Sequence, residues 1–298
     1  MENKVPELLY NCMKAIEESV KILEQGPKLE GLLKHIERVG RISYKSEDKI
    51  TDTSYEKFVR NLGLNGHWAV FELGTVYLTV PNKDLAVIGA LEATKPFTKW
   101  TDDGKFHYFT TNYRVISQLD LSDIETYWTE PGPNHFHRVT VDFICSRFTA
   151  NQIIRHRTLS PIQESQRYVK YDEISYIIPQ WACRSNTFPN LSNEDFWNNS
   201  TDPRIELIKN SWKQSEETYF KLIEQGVKRE SARGVLPLDT KTELCICGYL
   251  SDFYLLGVGT EKTGFFNLRT AQNAQEDLRY LAETLIDKFN ELGLNTLL

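Results

Sequence analysis

Apolar residues recur at helical spacing in several parts of the chain. The C-terminal residues 267–293 place an apolar side chain every three or four positions, which predicts one long terminal helix. These apolar residues are Leu278, Leu281, Leu285 and Phe289. The pattern of residues 204–227 predicts a second strong helix that ends near Gly226. Shorter helices are predicted over residues 28–42, 53–64, 145–160 and 228–238.

The N-terminal residues also favour a helix. Val20, Ile22 and Leu23 form the apolar side of a predicted amphipathic helix over residues 1–25, which Gly26 and Pro27 interrupt. Residues 1–26 are therefore expected to be a helical extension ahead of the main domain.

Other segments favour strands or loops. Residues 75–81 are strand-like and end at a proline, and residues 138–144 alternate apolar and polar positions as a half-buried strand does. Residues 171–181 look extended. Residues 188–203 are rich in Asn, Ser and Pro, which is typical of a loop insertion. Residues 84–100 suit either a helix or a strand, and the turn-rich residues 101–134 support no assignment.

The order of these elements defines the expected fold class. The chain shows no internal repeat and no regular strand–helix alternation, which argues against a doubly wound α/β fold. No stretch has the composition of a linker. We therefore predict a single α+β domain over residues 1–298, with a mixed or antiparallel sheet flanked by helices.

Composition narrows the class of protein. The 298 residues are 40% hydrophobic and 12% aromatic, enough to build a sizeable core. No apolar run reaches membrane-spanning length and the N-terminus lacks a signal-peptide core, so we expect a soluble cytoplasmic protein without a membrane partner. The net charge of −6 disfavours nucleic-acid binding. The five scattered cysteines do not suggest disulfides, and Cys245 and Cys247 suit neighbouring positions of one strand or helix.

Two other motifs are considered and set aside. Residues 257–264 have glycines at phosphate-loop spacing, but Phe265 and Phe266 stand where that loop needs Lys and Ser or Thr. His135 and His137 could be two metal ligands on one strand face, but no third ligand is evident and no metal is expected.

Positive charge is concentrated in one segment of this acidic chain. Between Phe143 and Gln163 there is no Asp or Glu, although the segment carries three arginines and a histidine. A helix over residues 146–157 would place Gln152, Arg155 and His156 on one face and Arg157 roughly opposite. Such a segment suits two anionic ligands, because arginine binds phosphate with a planar fork of donors. A solvated basic helix end is the alternative.

The same segment carries a specific family motif. Arg155, His156 and Arg157, followed after seven residues by Ser165 and then by Arg167-Tyr168, resemble the signature of flavin-dependent thymidylate synthases. Three further blocks resemble that family in the same order, at residues 65–72, 222–238 and 265–279. The resemblance implies an α+β homotetramer with active sites shared between subunits. It also implies that FAD, dUMP, methylenetetrahydrofolate and NADPH bind, and that dUMP is methylated to dTMP.

The resemblance also implies roles for individual residues around dUMP. Arg269 would activate the uracil, since a fixed guanidinium stabilises the negative charge that develops on N3 and O4. Ser165 and Arg167 would hold the nucleotide phosphate with Arg233 as a second cation, and Glu230 would orient Arg233 or cap its helix. The remaining residues implied to contact dUMP are Gln152, Arg155, Gln163, Glu164 and Gln166.

A second set of residues would contact the cofactors. Arg155, His156 and Arg157 would line the flavin, with a further contact from Gln163. His67 and Glu72 match the first block and would lie near flavin and folate. The glycine-rich residues 257–264 are a candidate cradle for the FAD pyrophosphate through backbone N–H groups.

The chain departs from the family pattern at several positions. Ile162 and Gln163 stand where the family has Asn-Glu, and Asn273 replaces the histidine of the last block. The family's FAD-binding asparagines and arginine have no clear match. Two alternative functions therefore stay open. One is a related flavoenzyme that modifies another pyrimidine nucleotide, for instance by hydroxymethylation. The other is a non-catalytic nucleotide-binding homologue.

Overall fold

A computed structural model describes residues 14–119, 121–167, 171, 173–183, 193–254 and 264–297. The strands are β1 (Lys14–Ile16), β2 (Ser19–Leu23), β3 (Thr75–Pro81), β4 (Lys99–Asp102), β5 (Phe106–Asn112), β6 (Arg138–Ser146), β7 (Ser160–Gln163), β8 (Ser175–Ile177) and β9 (Lys241–Tyr249). The α-helices are α1 (Lys28–Ile42), α2 (Ser54–Leu64), α3 (Leu85–Glu92), α4 (Tyr113–Gln118), α5 (Arg147–Ile153), α6 (Asn193–Asn199), α7 (Pro203–Glu224), α8 (Arg229–Ala232), α9 (Leu250–Tyr254), α10 (Phe265–Arg269) and α11 (Glu276–Glu291). Short 3-10 turns lie at Glu47–Lys49, Trp68–Leu73, Ile124–Tyr127, Gln180–Ala182, Arg233–Val235 and Leu294–Leu297.

The central sheet is antiparallel and has the strand order β2-β6-β9-β7. A second antiparallel sheet has the order β3-β5-β4, and β1 pairs in parallel with β8. This mixture of helices with mainly antiparallel sheets confirms the predicted α+β class.

Both faces of the central sheet are buried. Val141 and Phe143 of β6 pack in one core with α10 and α11, whereas Cys245 and Cys247 of β9 belong to the core that contains α1 and α2. The half-buried strand predicted at residues 138–144 is therefore covered on both sides, because helices pack on each face of the sheet. The placement of Cys245 and Cys247 along one strand is confirmed.

A third core forms around α7, which the sequence predicted well. The indole of Trp212 stacks on the ring of Tyr176 on one side and on Trp197 on the other, with ring centroids 4.7 and 5.0 Å apart. Trp197 belongs to α6, so the loop predicted at residues 188–203 is wrong for residues 193–199. The free energy gained by burying the aromatic side chain of Trp197 stabilises a helix there, although the segment is polar in composition.

The N-terminal helix prediction is wrong for the residues that the structure describes. Residues 14–23 form β1 and β2, and Val20 pairs with Phe143 of β6. The order Val20-Lys21-Ile22 also satisfies the two-residue period of a strand, and the free edge of β6 supplies the pairing partner. Residues 1–13 of the predicted extension lie outside the described residues.

The long C-terminal helix is interrupted. The predicted helix over residues 267–293 is divided into α10 and α11, and the side chain of Gln275 caps the start of α11 by accepting a hydrogen bond from Leu278 N. All four apolar residues of the predicted stripe are buried, which confirms the face that packs on the sheet.

The two segments without a clear prediction contain regular structure. Residues 84–100 form α3 and the start of β4, and residues 101–134 contain β5 and α4. Within the described ranges, no helix has the length and apolar character needed to cross a bilayer.

Candidate functional site

The basic segment is only partly helical. Ser146 caps α5 through its hydroxyl, which accepts a hydrogen bond from Thr149 N at 3.0 Å, and the helix ends at Ile153. Arg155, His156 and Arg157 therefore lie in the turn between α5 and β7. The prediction that one helix face carries Gln152, Arg155 and His156 is wrong, because the chain must leave the helix to reach β7 at Ser160. Both arginines are exposed, whereas His156 is half-buried.

Arg269, at the end of α10, contacts this turn directly. Its Nε donates to His156 Nε2 at 2.7 Å, and its second terminal nitrogen donates to the backbone oxygen of Gln152 at 2.9 Å. The tertiary structure thus unites three of the predicted residues that are far apart in sequence. Two acceptors hold the guanidinium in one plane, which leaves its remaining N–H groups for a ligand.

The electrostatics of this contact favour a neutral imidazole. Burial, and then the charge of Arg269, lower the pKa of His156 to about 4. Burial and the neighbouring Arg155 also lower the pKa of Arg269. His156 is therefore neutral near pH 7 and accepts the hydrogen bond from Arg269 instead of adding a further positive charge.

The segment that follows β7 is fixed by backbone hydrogen bonds. Glu164 N donates to Glu243 O at 2.8 Å, and Ser165 N donates to Ser43 O at 3.1 Å. The amide of Gln163 donates to Thr242 Oγ1 at 3.2 Å. Gln163 through Ser165 are therefore held between β9 and the end of α1, which places the motif serine at a defined edge of the sheet.

The side chain of Glu164 points into the protein. It is 2% exposed and lies 2.9 Å from Lys241 Nζ and 3.7 Å from Lys45 Nζ. The hydroxyl of Tyr171 also donates to it at 3.2 Å. Glu164 thus anchors the segment that carries Ser165.

The next two residues differ in exposure. Arg167 is exposed, and its backbone N–H donates to Ser165 Oγ at 3.3 Å. Gln166 is 4% exposed, and both polar atoms of its amide are buried. Tyr168, the last residue of the motif, lies outside the described residues.

His67 and Glu72 join the first sequence block to this region. His67 Nδ1 lies 2.7 Å from the hydroxyl of Tyr44, which follows Ser43. The carboxylate of Glu72 accepts from Arg114 at 2.6 Å and from Ser160 Oγ at 2.7 Å. Because protein donors occupy both of its oxygens, the observed role of Glu72 is to hold the start of β7.

Arg233 lies beside a separate group of cations. Its Nε donates to the backbone oxygen of Glu230 at 3.2 Å, so the carbonyl and not the carboxylate of Glu230 orients it. Burial, and then the charge of Arg233, lower the pKa of Arg147. A depression of about 460 Å³ nearby is lined by Arg167 and by residues from the end of α7 to the start of α8.

Three residues that contribute to the site were not predicted. Lys45 and Lys241 carry the charges that bind Glu164, and Gln275 contacts Gln152. Gln275 belongs to a block that carries the family resemblance, so its position in the sequence could have indicated a role in the site. The sequence gives no such indication for Lys45 and Lys241, because only the fold brings them beside Glu164.

The two histidines considered as metal ligands have other contacts. His135 Nε2 lies 3.2 Å from Leu78 O, and Gly132 N donates to His135 Nδ1 at 3.0 Å. The ring of His137 packs against Tyr77. Across the described part of the chain, no group of three or more potential ligand side chains could hold a metal. Residues 257–263 of the glycine-rich stretch lie outside the described residues.

Comparison with known families supports one assignment. Residues 131–292 match the model of the family described as thymidylate synthase complementing protein. Similar curated proteins are named flavin-dependent thymidylate synthase. The one from Haloarcula marismortui is 29% identical over 157 residues, which cover 48% of this chain and 58% of that protein. The one from Clostridium tetani is 30% identical over 162 residues, covering 50% and 57%. The chain spans about half the length of the curated relatives it matches.

Among solved structures, the chain is similar to the UMP/dUMP methylase PolB from Streptomyces cacaoi bound with 5-Br UMP. The two share 15% sequence identity at a TM-score of 0.44, over 94% of this chain and 92% of that one.

Proposed function

Because this chain belongs to the thymidylate synthase complementing protein family, the one whose motifs it resembles, we propose that it methylates dUMP to dTMP with a bound FAD. Methylenetetrahydrofolate supplies the one-carbon unit and NADPH supplies two electrons. The balance is dUMP, methylenetetrahydrofolate, NADPH and a proton giving dTMP, tetrahydrofolate and NADP⁺. The observation that supports this most is the contact of Arg269 with His156 and Gln152.

Arg269 activates the base in this proposal. Its guanidinium is held by two protein acceptors and is partly withdrawn from water, so it need not reorganise when charge appears on the ring. Negative charge that develops on uracil N3 and O4 is then stabilised by a fixed cation. Neutral His156 contributes by orienting Arg269 and not by donating a proton.

The residues present suit an anionic dinucleotide cofactor. Arg155 and Arg157 are exposed guanidinium groups in a segment without carboxylates, and His156 contributes a neutral ring between them. These three residues would hold the FAD, with further contacts from His67 and Gln163 as the family resemblance implies. The flavin, when bound, supplies the hydride that completes the methyl group.

The nucleotide phosphate is assigned to a separate set of donors. Ser165 and Arg167 lie on the segment that Glu164 anchors, and Arg233 is the second cation. As the family resemblance implies, we propose that the chain forms a homotetramer whose sites are shared between subunits. We further propose that the enzyme acts in the cytoplasm.

The first test is Arg269→Lys, which keeps the charge but removes the planar fork. We expect the purified wild-type chain to show visible flavin absorption and to form dTMP, which mass spectrometry detects. In the Arg269→Lys variant, kcat should be lower by about a hundredfold or more. Arg60→Lys, at an exposed arginine of α2, is the matched control and should keep full activity. A colourless protein, or an Arg269→Lys variant with wild-type kcat, would contradict the proposal.

The replacement at Gln163 favours one alternative function. An amide that donates to Thr242 stands where the family has a carboxylate, so the base or the flavin meets a neutral group there. The alternative is a flavoenzyme that adds a different group, such as hydroxymethyl, to a pyrimidine nucleotide. The mass of the products formed from dUMP and dCMP separates the two reactions. Binding of dUMP without turnover, when all cofactors are supplied, would instead identify a non-catalytic homologue.

A further inference from the structure

A carboxylate next to the basic turn, residues 155–157, is bound by a cation that no sequence motif indicated. Arg114 lies in the first turn of α4, and its Nη1 atom donates to Glu72 Oε1 at 2.6 Å. The hydroxyl of Ser160 donates to the other oxygen of Glu72 at 2.7 Å. Arg114 lies outside residues 131–292, which match the family model, and outside every block that carries the resemblance. The family comparison therefore assigns this arginine no role.

The backbone on both sides of this ion pair is fixed. Tyr113 N donates to Gly74 O at 2.9 Å, which ties the start of α4 to the end of the 3-10 turn that carries Glu72. The backbone oxygen of Glu72 also accepts from Arg138 Nη2 at 2.8 Å. The side chains of Arg114 and Glu72 are 38% and 17% exposed, so water shields their attraction only in part.

The second partner of the carboxylate, Ser160, begins β7 directly after the basic turn. Leu159 N donates to His156 O at 3.1 Å, which closes the chain around Arg157. The basic turn is therefore held at two points. Arg269 binds the ring of His156, and the carboxylate of the ion pair binds Ser160.

The ion pair also sets the charge next to the basic turn. Ser160 follows Arg157 by three residues, which span at most about 10 Å of extended chain. With Arg114 in place, the carboxylate of Glu72 is neutralised and both of its oxygens are occupied. It then does not compete with an anionic ligand for the guanidinium groups of the turn.

We propose that Arg114 is a positioning residue for the cofactor: by holding Glu72, it fixes the basic turn in the conformation that binds the flavin dinucleotide. This inference rests on the proposed function, in which residues 155–157 hold FAD. Arg114 acts through Glu72 and Ser160 and needs no contact with FAD itself. Because the pyrophosphate of FAD is an anion, the affinity for it depends on where the two arginines of the turn are held.

The first measurement is the affinity for FAD. The full chain is freed of cofactor and titrated with FAD, with flavin fluorescence as the signal. In Arg114→Gln we expect a Kd about fivefold higher than in the wild type, the size expected for one ion pair near the surface. Arg114→Lys keeps a cation for Glu72 and should recover most of the affinity. Arg60→Gln removes the charge of an exposed arginine on α2 and is the matched control, which should leave the Kd unchanged.

A second measurement needs no bound cofactor. Amide hydrogen exchange of the cofactor-free chain, followed by mass spectrometry, reports the local stability of the basic turn. In Arg114→Gln, residues 155–160 should exchange faster than in the wild type, whereas β6 should exchange at the wild-type rate. Ser160→Ala breaks the same link at its other end. The effects of Arg114→Gln and Ser160→Ala on the Kd for FAD should therefore not multiply in the double variant.

The outcomes separate positioning from charge and from general stability. Weaker FAD binding together with faster exchange confined to residues 155–160 supports the positioning role of Arg114. An unchanged Kd in Arg114→Gln overturns this role while the proposed function stands. Weaker binding without faster exchange in the turn also overturns it, since the lost charge alone then explains the effect, and so does faster exchange throughout the chain. A wild-type chain that binds no FAD overturns both proposals.

Discussion

Glu164 illustrates how a buried charge can fix a segment that carries a candidate binding residue. Its carboxylate lies under the segment that carries Ser165 and accepts from Lys241 and Tyr171, with Lys45 nearby. Withdrawing a charge from water is costly unless partners compensate, so removal of one member leaves the others poorly satisfied. The family resemblance placed Glu164 among the substrate contacts, and the structure gives it an anchoring geometry.

We expect Glu164→Gln to lower the free energy of unfolding by about 2 kcal/mol, because the half-buried ammonium groups of Lys45 and Lys241 lose one of the two carboxylates that they share and keep Glu243. The affinity for dUMP should fall as well, since Ser165 loses its support. Urea unfolding and calorimetric titration measure the two effects. Glu47→Gln is the matched control: Glu47 also pairs with Lys45, at 3.5 Å, but its side chain is 38% exposed. Glu47→Gln should lower the free energy of unfolding by less than about 1 kcal/mol. If Glu164→Gln and Glu47→Gln lower it equally, the anchoring role of Glu164 is refuted.

At the scale of elements, the turn between β1 and β2 is docked beside the start of α11. Glu18 in this turn is 4% exposed. Burial, and then the nearby Asp277, raise the pKa of Glu18 to about 8. Buried Cys145 of β6 and half-buried Cys183 are the neutral thiols close to it. Docking of the turn therefore favours a protonated carboxyl.

The sign of the resulting pH dependence follows from linkage. Because the pKa of Glu18 rises from an ordinary 4.5 to about 8 on folding, its contribution is fully present below pH 4.5 and is lost as pH rises towards 8. Between these two pH values the free energy of unfolding falls by up to about 1.4 kcal/mol per pH unit. Glu18→Gln should remove this loss and make the variant more stable than the wild type at pH 8.

Urea unfolding of both proteins at pH 5.5 and pH 8 tests the effect of Glu18. The difference between variant and wild type should grow in favour of the variant as pH rises. Glu17→Gln removes one negative charge from the same turn and serves as the control. A constant difference between Glu18→Gln and wild type at the two pH values would show that Glu18 is already ionised at pH 5.5.

At the scale of the whole molecule, the candidate residues form two groups. Arg269, His156 and Gln152 are joined by hydrogen bonds, whereas Arg233 lies beside α8 with Arg147. A closed symmetric oligomer can bring the second group of one subunit to the first group of another. This assembly is a proposal that mixed oligomers can test.

We expect Arg233→Ala and Arg269→Ala each to abolish dTMP formation, and co-expression of the two chains to restore it in part. If each site takes its two arginines from different subunits, about a quarter of the sites in randomly mixed oligomers are intact. Activity of purified mixed oligomers, with light scattering for their mass, gives the answer. Mixed tetramers without activity would place both arginines of a site in one chain.

The sequence by itself determined the family, the α+β class and most of the helices. Helical periodicity predicted α1, α2 and α7 well, because each buries one apolar stripe regardless of its neighbours. The motif from Arg155 to Arg167 identified the family because its chemistry needs those side chains at a fixed spacing. Both kinds of signal are local in the chain.

The tertiary structure decided what depends on distant partners. β2 became a strand because β6 offers an unpaired edge, and α6 formed because Trp197 can stack on Trp212. The buried charges around Glu164 and the contact of Gln275 with Gln152 likewise depend on residues up to 123 positions apart along the chain. Hydrogen bonds and ion pairs act over a few ångströms in space, so no pattern along the sequence specifies them before the chain has folded.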